Sequence, residues 1–367
     1  MIKKMFIIYS TLVIFIYCVL SKINFTYNLE EFILQILVLL GSLIIITSNH
    51  FIILYLGLEI QTFSLFILIS KNKIWLKSSE AGLKYFILGA MSSGFFLLGL
   101  TFLLINGSSL SYTEITTPPL ILIILSFFFK ISLFPFHFWS PDIYEGSSWK
   151  IIGFIGSLPK ISILVILLQW GQLPFYYTCA LLSIIIGTFG ALNQTKLKRI
   201  LAYSGISHFG FIILGLTLYN QTCVHVYLFV YFINLLLFII LLNNTQQTYF
   251  IELSKSIPLS LCLLSIAGLP PLIGFISKWV LFLQMLEEIY FFCLITCLVC
   301  TALSIYYYIR IISTIYFNQK NSFLLWNKLL HNKQFISEPF LIGFFFFITL
   351  FLILNPKPLF LSFSFLI

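Results

Sequence analysis

The sequence predicts an all-α polytopic membrane protein with about 12 transmembrane helices. Hydrophobic residues make up 60% of the 367-residue chain and charged residues only 8%, whereas a typical soluble domain has about 25% charged residues. Many apolar runs approach the ~20 residues that a spanning helix needs, and short polar segments separate them. Because strand-period alternation is absent, the pattern favours a helix bundle over a membrane barrel.

The apolar runs place twelve spans along one transmembrane domain, residues 1–367. An extra N-terminal helix falls within residues 1–31, at roughly 5–20, and a C-terminal helix at 339–361. The other spans lie at roughly 32–47, 50–70, 81–105, 120–138, 150–170, 174–192, 200–219, 222–242, 257–286 and 289–317. No polar segment between them is long enough for a second folded domain.

Basic residues are distributed unevenly between the two ends of these spans. Only Lys3, Lys4 and Lys357 belong to the outer side. The loops after odd-numbered spans contain Lys22, Lys71, Lys73, Lys77, Lys150, Lys196, Lys198, Arg199, Lys255, Lys320, Lys328 and Lys333. This asymmetry predicts that those loops face the matrix or cytoplasm and that both termini face outward. The net charge of +9 therefore reflects topology, and we expect no nucleic-acid partner.

The fifth and tenth spans contain residues that interrupt a helix. Pro135 interrupts the fifth span, and the adjacent Pro270 and Pro271 interrupt the tenth. Proline removes a backbone hydrogen bond and clashes with the preceding turn. Unwound backbone at membrane depth is tolerated only where protein or water covers it. Both breaks are therefore expected in the interior of the bundle, although proline kinks are also common in membrane helices.

The positions of the two breaks predict an internal repeat. The broken spans lie five spans apart, so they cross the membrane in opposite directions. Residues 32–170 and 174–317 thus form two inverted five-helix repeats, each with its broken helix in fourth place. Such repeats place their working site near the membrane midplane at discontinuous helices. The prediction rests on helix count and breaks, since the two halves show no convincing residue-level identity.

Four ionisable residues lie inside the apolar spans: Glu59, Lys130, Lys160 and Lys278. A charge near the bilayer centre costs ~2.5 to 3.5 kcal/mol on insertion scales, so such residues are paired, hydrated or functional. Burial disfavours the charged form of an amine, so a buried lysine can load and release protons. Apolar residues or a helix break flank each of these lysines, which disfavours snorkelling to an interface. Together the four residues suggest a proton path.

Three further polar residues are weaker candidates. His137 and His208 could relay protons between lysines because histidine titrates near neutrality, but a hydrogen-bonded structural role is an equal alternative. Lys84 is a secondary candidate, since it lies four residues after Glu80, where an ion pair near a helix end explains it as well.

No residues that bind a cofactor or a metal are expected on this chain. The sequence has no G-x-G-x-x-G, no P-loop and no cluster of histidines and carboxylates. Cys293, Cys297 and Cys300 recur at helical spacing, but they lie in an apolar run and are interpreted as small buried hydrophobic residues. An iron–sulfur site would need four thiolates.

Five segments in order resemble the antiporter-like subunits of respiratory complex I. They are YLGLEIQTFSLFIL, SSEAGLKYFILGAMSSG, FKISLFPFHFWSPDIYEGSS, NQTKLKRILAYSGISHFGFI and LSIAGLPPLIGFISKW. The resemblance covers roughly residues 30–320. It implies a fourteen-helix fold with two inverted five-helix repeats that work as one proton-pumping unit. This chain departs from the family by having about two fewer helices at its N-terminus.

The resemblance also implies roles for residues of this chain. Glu59 matches the family's membrane glutamate, Lys130 and Lys278 match the lysines of the two broken helices, and Lys160 matches the central lysine. The lysine at position 278 favours the branch of the family that has lysine there over the branch that has glutamate.

The same resemblance implies partners and a location. The partners are other membrane-arm subunits, including further antiporter-like subunits, together with membrane lipids. NADH, FMN, iron–sulfur clusters and ubiquinone would be bound by partner subunits and not by this chain. The location is the mitochondrial inner membrane. Because the sequence shows no Arg- and Ser-rich transit peptide, we expect the chain to be encoded in the organelle. A thylakoid or a bacterial plasma membrane is the alternative.

Two other functions fit the same pattern. The chain could be a subunit of a multisubunit cation/proton antiporter, in which similar lysines and helix breaks occur. It could also be a non-conducting scaffold of the membrane arm, in which case the buried charges would be inert.

Overall fold

The computed structural model describes residues 29–71, 75–105, 117–170, 174–218, 221–242, 257–270 and 272–317, together with residue 343. This part of the chain contains twelve helices and no β-strand, which confirms the predicted all-α fold. Eight of the described helices are long and apolar enough to cross a membrane. The predicted first span, Pro271 and most of the predicted last span lie outside the described residues.

The helices of the described ranges follow one another with short connections. In chain order they are α1 (Leu29–Thr47), α2 (Phe51–Ser70), α3 (Leu76–Ile105), α4 (Thr117–Ile131), α5 (Trp139–Gly146), α6 (Trp149–Trp170), α7 (Pro174–Leu192), α8 (Leu197–Thr217), α9 (Gln221–Leu242), α10 (Ile257–Ala267), α11 (Ile273–Glu287) and α12 (Phe291–Phe317). Each of the ten middle predicted spans corresponds to one helix or to one pair of half-helices. The inverted relation between the two sets of five stays a prediction.

The predicted fifth span ends at residue 138. A second half-helix that was not predicted, α5, follows it and continues to Gly146. Its sequence, WSPDIYEG, is too polar to be recognised as part of an apolar run. The tenth span divides in the same way into α10 and α11.

Both broken helices end their first half with the same hydrogen-bond pattern. After α4, the Ser132 N–H donates to the Phe129 carbonyl at 3.1 Å and the Leu133 N–H donates to the Phe128 carbonyl at 2.9 Å. After α10, Gly268 N–H donates to the Ser265 carbonyl at 3.1 Å and Leu269 N–H to that of Leu264 at 3.2 Å. These pairs of bonds define a Schellman motif.

This motif needs one residue with left-handed backbone just after the helix. Gly268 takes that place at the second break, with φ of +83°, and glycine adopts this conformation without steric cost. Ser132 takes it at the first break, with φ of +68°, which is uncommon for a residue with a side chain. Ser132 is fully buried, so its hydroxyl lies inside the bundle at the break.

Glycines allow two helix pairs to pack closely. A Cβ atom on Gly41 of α1 would lie 2.7 Å from Gln61 Cγ of α2, and one on Gly57 of α2 would lie 2.8 Å from Ile45 Cγ1. In the same way, a Cβ on Gly187 of α7 would lie 2.7 Å from the Ser207 amide nitrogen of α8. Small residues at helix contacts are typical of membrane proteins, where close packing holds helices together.

Ion pairs bring several loops to one end of the bundle. Lys71, after α2, pairs with Glu31 at the start of α1. Lys77, at the start of α3, pairs with Glu145 at the end of α5, with 2.8 Å between the charged atoms. Glu145 also pairs with Lys196, which precedes α8. The loops after the first, third, fifth and seventh predicted spans therefore share one end, as the predicted topology requires. That this end faces the matrix stays a prediction.

We expect Gly187→Ala to destabilise the protein. Its new methyl group would meet backbone atoms of α8, which cannot move aside as a flexible side chain can. Overpacking of this kind lowers the free energy of unfolding by about 1 to 3 kcal/mol. Gly94→Ala is the matched control, since nothing lies within 4 Å of a Cβ at that position. Thermal unfolding of the two purified variants measures the difference. Equal stability of the two variants would contradict the described α7–α8 contact.

Candidate functional site

Glu59 and Lys130 lie near each other on α2 and α4 but do not form a contact ion pair. Glu59 Oε2 accepts a hydrogen bond from the Thr62 hydroxyl at 3.3 Å, and Oε1 is buried without a hydrogen-bond partner among the described residues. Lys130, in the last turn of α4, has a buried Nζ that also lacks a partner there. The two charges are close enough to interact electrostatically. The pair is therefore open in this structure.

Lys160 contacts the first break from α6. Its side chain is only 2% exposed. Its Nζ donates to the Ser132 hydroxyl oxygen at 3.3 Å and lies 4.2 Å from the centre of the Phe209 ring of α8. A cation above an aromatic face is attracted to it. Lys160 thus joins the first break to α8.

Lys278 contacts the second break from α11. Its side chain is 5% exposed. Its Nζ donates to the Ala267 carbonyl at 2.7 Å, and Ala267 is the last residue of α10. The same Nζ lies 6.0 Å from the centre of the Phe211 ring of α8.

Each break therefore has a lysine ammonium at the C-terminus of its first half-helix. Lys160 reaches the residue after α4, and Lys278 reaches the last carbonyl of α10. The C-terminus of a helix has free carbonyl groups and a partial negative charge, which favour a nearby cation. The two lysines come from different kinds of element. Lys160 belongs to α6, the helix that follows the first broken helix, whereas Lys278 belongs to α11, the second half of the second broken helix.

His208 is buried in α8, in the same helix as the two rings that these lysines contact. It is next to Phe209, the ring that Lys160 contacts, and the charge of Lys278 acts on it. Its Nδ1 and the Tyr227 hydroxyl share a hydrogen bond of 2.8 Å. The role of His208 as a relay between Lys160 and Lys278 stays a prediction.

His137 is buried beside the first break, with its ring centre 4.1 Å from that of Phe138. Among the described residues, no hydrogen bond or ion pair joins it to Lys130 or Lys160. Its role as a relay stays a prediction.

Lys84 forms the predicted ion pair with Glu80, with 2.8 Å between the charged atoms, and a second pair with Asp142 at 2.9 Å. Asp142 of α5 also pairs with Arg199 of α8 at 3.1 Å. Lys84 therefore belongs to a charge cluster at the end of the bundle. The sequence interpretation missed the two acids of this cluster, Asp142 and Glu145, although their spacing of three residues in SPDIYEG places them on one helix face.

Glu145 is held in its charged form by the same cluster. Burial alone would raise its pKa, but hydrogen bonds from Lys196 and Lys77, together with the charge of Arg199, lower the pKa to about 2. The cluster joins α5 to α3 and to the start of α8. It holds α5, the second half of the first broken helix, against one helix from each predicted repeat.

The cysteines are buried, as the sequence predicted. Cys293, Cys297 and Cys300 are each no more than 3% exposed. Within the described ranges, no group of three His, Cys, Asp or Glu side chains is placed to hold a metal ion.

The family described as "NADH:quinone oxidoreductase/Mrp antiporter, TM" matches residues 48–304. The chain belongs to this family. It is 34% identical to NADH-ubiquinone oxidoreductase chain 2 of Metridium senile, over 89% of this chain and 94% of that protein. It is 33% identical to chain 2 of Arabidopsis thaliana, over 90% and 73% of the two chains. The resemblance carried by the five segments is therefore confirmed.

Solved structures show the same fold. A chain of respiratory complex I from Thermus thermophilus is similar with a TM-score of 0.86 and 26% identity, over 98% of this chain and 85% of that one. A chain of the Mrp complex from Dietzia has a TM-score of 0.73 at 17% identity, over 78% of this chain and 61% of that one, which shows shared fold alone. The chain is an antiporter-like subunit of the complex I membrane arm.

We expect Glu145→Gln to destabilise the protein by about 1.5 to 3 kcal/mol, the contribution of hydrogen bonds to a charged group. Because the pKa of Glu145 is about 2 in the folded protein and 4.5 ordinarily, the stabilisation is complete above pH 4.5 and lost as the pH falls towards 2. Thermal unfolding of the variant and the wild type at several pH values measures this difference. It should stay constant around neutral pH and narrow below about pH 4.5.

Glu80→Gln is the control, because Glu80 is 63% exposed and an exposed pair contributes only about 0.2 to 1 kcal/mol. A stability difference between Glu145→Gln and wild type that vanished near neutral pH would contradict the charge cluster.

Proposed function

We propose that this chain translocates protons across the membrane through Glu59, Lys130, Lys160 and Lys278. The observation that carries the proposal is a deeply buried lysine ammonium at each of the two helix breaks. The driving force would come from redox chemistry on other subunits.

The open pair of Glu59 and Lys130 is suited to gate the first step. At ~4 Å and an effective dielectric constant of ~20, a closed pair would be worth ~4 kcal/mol, and less at longer range. Moving one proton against 100 mV costs ~2.3 kcal/mol. The free energy of the closed pair is thus similar to the cost of moving one proton. Closing the pair would hold a proton on Lys130, and opening it would let the proton pass to the next group.

Two opposing effects act on the charged forms of Lys160 and Lys278. Burial disfavours the ammonium form, whereas the C-terminus of a half-helix favours it by about 0.3 to 2 kcal/mol. The Ser132 hydroxyl and the Ala267 carbonyl accept hydrogen bonds from the ammonium groups. The arrival or departure of a neighbouring charge is then enough to change whether the ammonium or the neutral amine is preferred.

The order of contacts suggests a lateral path. The path would run from Lys130 past Ser132 to Lys160, and then by way of His208 to Lys278. Lys84, which pairs with Asp142 at the end of the bundle, would be a secondary residue of the path at its Lys130 end. His137 would be a relay beside the first break.

The names of the relatives support the rest of the assignment. They are NADH-ubiquinone oxidoreductase chain 2 in Metridium, Marchantia and Arabidopsis, and NADH-quinone oxidoreductase subunit N in bacteria. We infer that this chain is a subunit of a proton-pumping NADH:ubiquinone reductase. NADH, FMN, iron–sulfur clusters and ubiquinone would be bound by partner subunits.

We also infer that the complex lies in the mitochondrial inner membrane and that the chain is encoded in the organelle. Its partners would be other membrane-arm subunits, including further antiporter-like subunits, and membrane lipids.

We expect Lys130→Met to abolish proton translocation in an assembled complex, because methionine fills a similar volume but cannot carry a proton. The measurement is proton uptake into vesicles during NADH:ubiquinone oxidoreduction, with assembly confirmed on a native gel. Lys71→Met is the matched control, since Lys71 pairs with Glu31 near the start of α1. We expect it to pump at close to the wild-type rate.

Other outcomes would decide between the alternatives. If Lys130→Met pumps protons at the wild-type rate, the result favours a chain that is a non-conducting scaffold of the membrane arm. Absence of the chain from any NADH-oxidising complex, with sodium-dependent proton flux, would favour the cation/proton antiporter.

A further inference from the structure

A tryptophan spans the first break. Trp139 is the first residue of α5 and is only 6% exposed. Its indole N–H donates a hydrogen bond to the Phe129 carbonyl in the last turn of α4, with 2.9 Å between the two atoms. A buried indole N–H usually finds such an acceptor. Because the two residues lie on opposite sides of the break, this bond joins the two half-helices.

The bond acts on the turn of α4 that carries Lys130. Phe129 directly precedes Lys130 in this turn. The Phe129 carbonyl also accepts the Ser132 N–H at 3.1 Å, which is one bond of the Schellman motif. In addition, the Trp139 ring stacks on the Phe129 ring, with 6.4 Å between the ring centres and 12° between the ring planes. Trp139 therefore holds both the backbone and the side chain of the residue before Lys130.

Trp139 also contacts α3 close to Glu59. The Tyr85 ring of α3 meets the Trp139 ring edge-on, with 5.8 Å between the ring centres. Edge-to-face contacts of this kind are favourable between aromatic rings. Tyr85 is in turn close enough to Glu59 for the charge of Glu59 to act on it. One side chain thus contacts the turn that carries Lys130 and a neighbour of Glu59.

The second break has a corresponding link that a different group makes. There, the Lys278 Nζ of α11 donates to the Ala267 carbonyl at the end of α10. At both breaks, a side chain of the second half-helix therefore donates to a carbonyl in the last turn of the first. The indole of Trp139 is only a donor and does not titrate, whereas the amine of Lys278 does. The link at the first break is thus independent of proton occupancy, and the Lys130 Nζ has no hydrogen-bond partner among the described residues.

We propose that Trp139 is a positioning residue that keeps Lys130 apart from Glu59 by fixing the last turn of α4 against α3 and α5. This inference rests on the proposed function, in which the open pair lets a proton leave Lys130. Trp139 itself exchanges no proton. Without the indole bond, the last turn of α4 has one hydrogen bond fewer, so that Lys130 can approach Glu59 and keep its proton.

Trp139→Phe tests the indole bond. Phenylalanine keeps an aromatic ring but has no N–H, so the Phe129 carbonyl loses one of its two donors. We expect the rate of proton uptake into vesicles during NADH:ubiquinone oxidoreduction to fall by about 2- to 10-fold, as loss of one hydrogen bond would cause. Assembly is confirmed on a native gel. Trp75→Phe is the matched control, since Trp75 is 54% exposed just before α3, and it should keep the wild-type rate.

Trp139→His separates the hydrogen bond from the packing of the ring. The histidine Nε2 lies as many bonds from the backbone as the tryptophan Nε1, so a neutral imidazole can donate the same bond although the larger ring is lost. We expect Trp139→His to recover at least half of the wild-type rate of proton uptake and to exceed Trp139→Phe. A rate for Trp139→His no higher than that for Trp139→Phe would show that Trp139 acts by packing alone, and would overturn the proposal.

The result for Lys130→Met distinguishes failure of this inference from failure of the proposed function. If Lys130→Met pumps at the wild-type rate, the proposed function fails. If Lys130→Met fails to pump while Trp139→Phe pumps at the wild-type rate, only the positioning role of Trp139 fails.

If neither variant of Trp139 assembles, cryo-EM of the wild-type complex during turnover decides. Particle classes in which the indole of Trp139 is bonded to the Phe129 carbonyl should all show Lys130 and Glu59 apart. A class that keeps this bond while the Lys130 Nζ lies within about 4 Å of a Glu59 carboxylate oxygen, the range of a contact ion pair, would overturn the proposal.

Discussion

A lysine ammonium placed against the C-terminus of a buried half-helix is the interaction on which the rest of the site depends. Breaking a helix inside a membrane leaves carbonyl groups without partners, and burying a lysine there leaves a charge without water. Schellman bonds satisfy two carbonyls at each break, and a buried lysine placed there gains a hydrogen bond and the partial negative charge of the helix end. Lys160 meets the break after α4 at Ser132, and Lys278 meets the break after α10 at Ala267. Because the charge is stabilised by dipoles and single hydrogen bonds and not by a contact carboxylate, it remains sensitive to a proton that arrives nearby.

The surrounding structure holds these half-helices in place. At one end of the bundle, Asp142 and Glu145 of α5 pair with basic residues of α3 and α8, so the polar half of the first broken helix is fixed by charge pairs. Glu145 stays ionised at neutral pH because its pKa is about 2. At the second break, close packing at Gly274 brings α11 against α10. Charge pairs at the first break and close packing at the second thus hold the half-helices that the buried lysines contact.

Much of this was predictable from the sequence. Apolar runs and prolines located the ten middle spans and both breaks, because a spanning helix has a minimum length and proline cannot continue it. Buried ionisable residues pointed to Glu59 and the three lysines because charges are rare at membrane depth. The half-helix α5 was missed because its polarity resembles that of a loop.

The most direct test of the central claim uses a residue that keeps its charge but cannot give up its proton. Arginine at position 160 would retain a cation at the first break, yet its guanidinium stays protonated in proteins. Protons translocated per NADH oxidised should be measured for the assembled Lys160→Arg complex beside the wild type. If Lys160 carries protons, Lys160→Arg assembles and fails to pump. A wild-type ratio in Lys160→Arg would show that this position needs only a fixed positive charge, and would contradict the account.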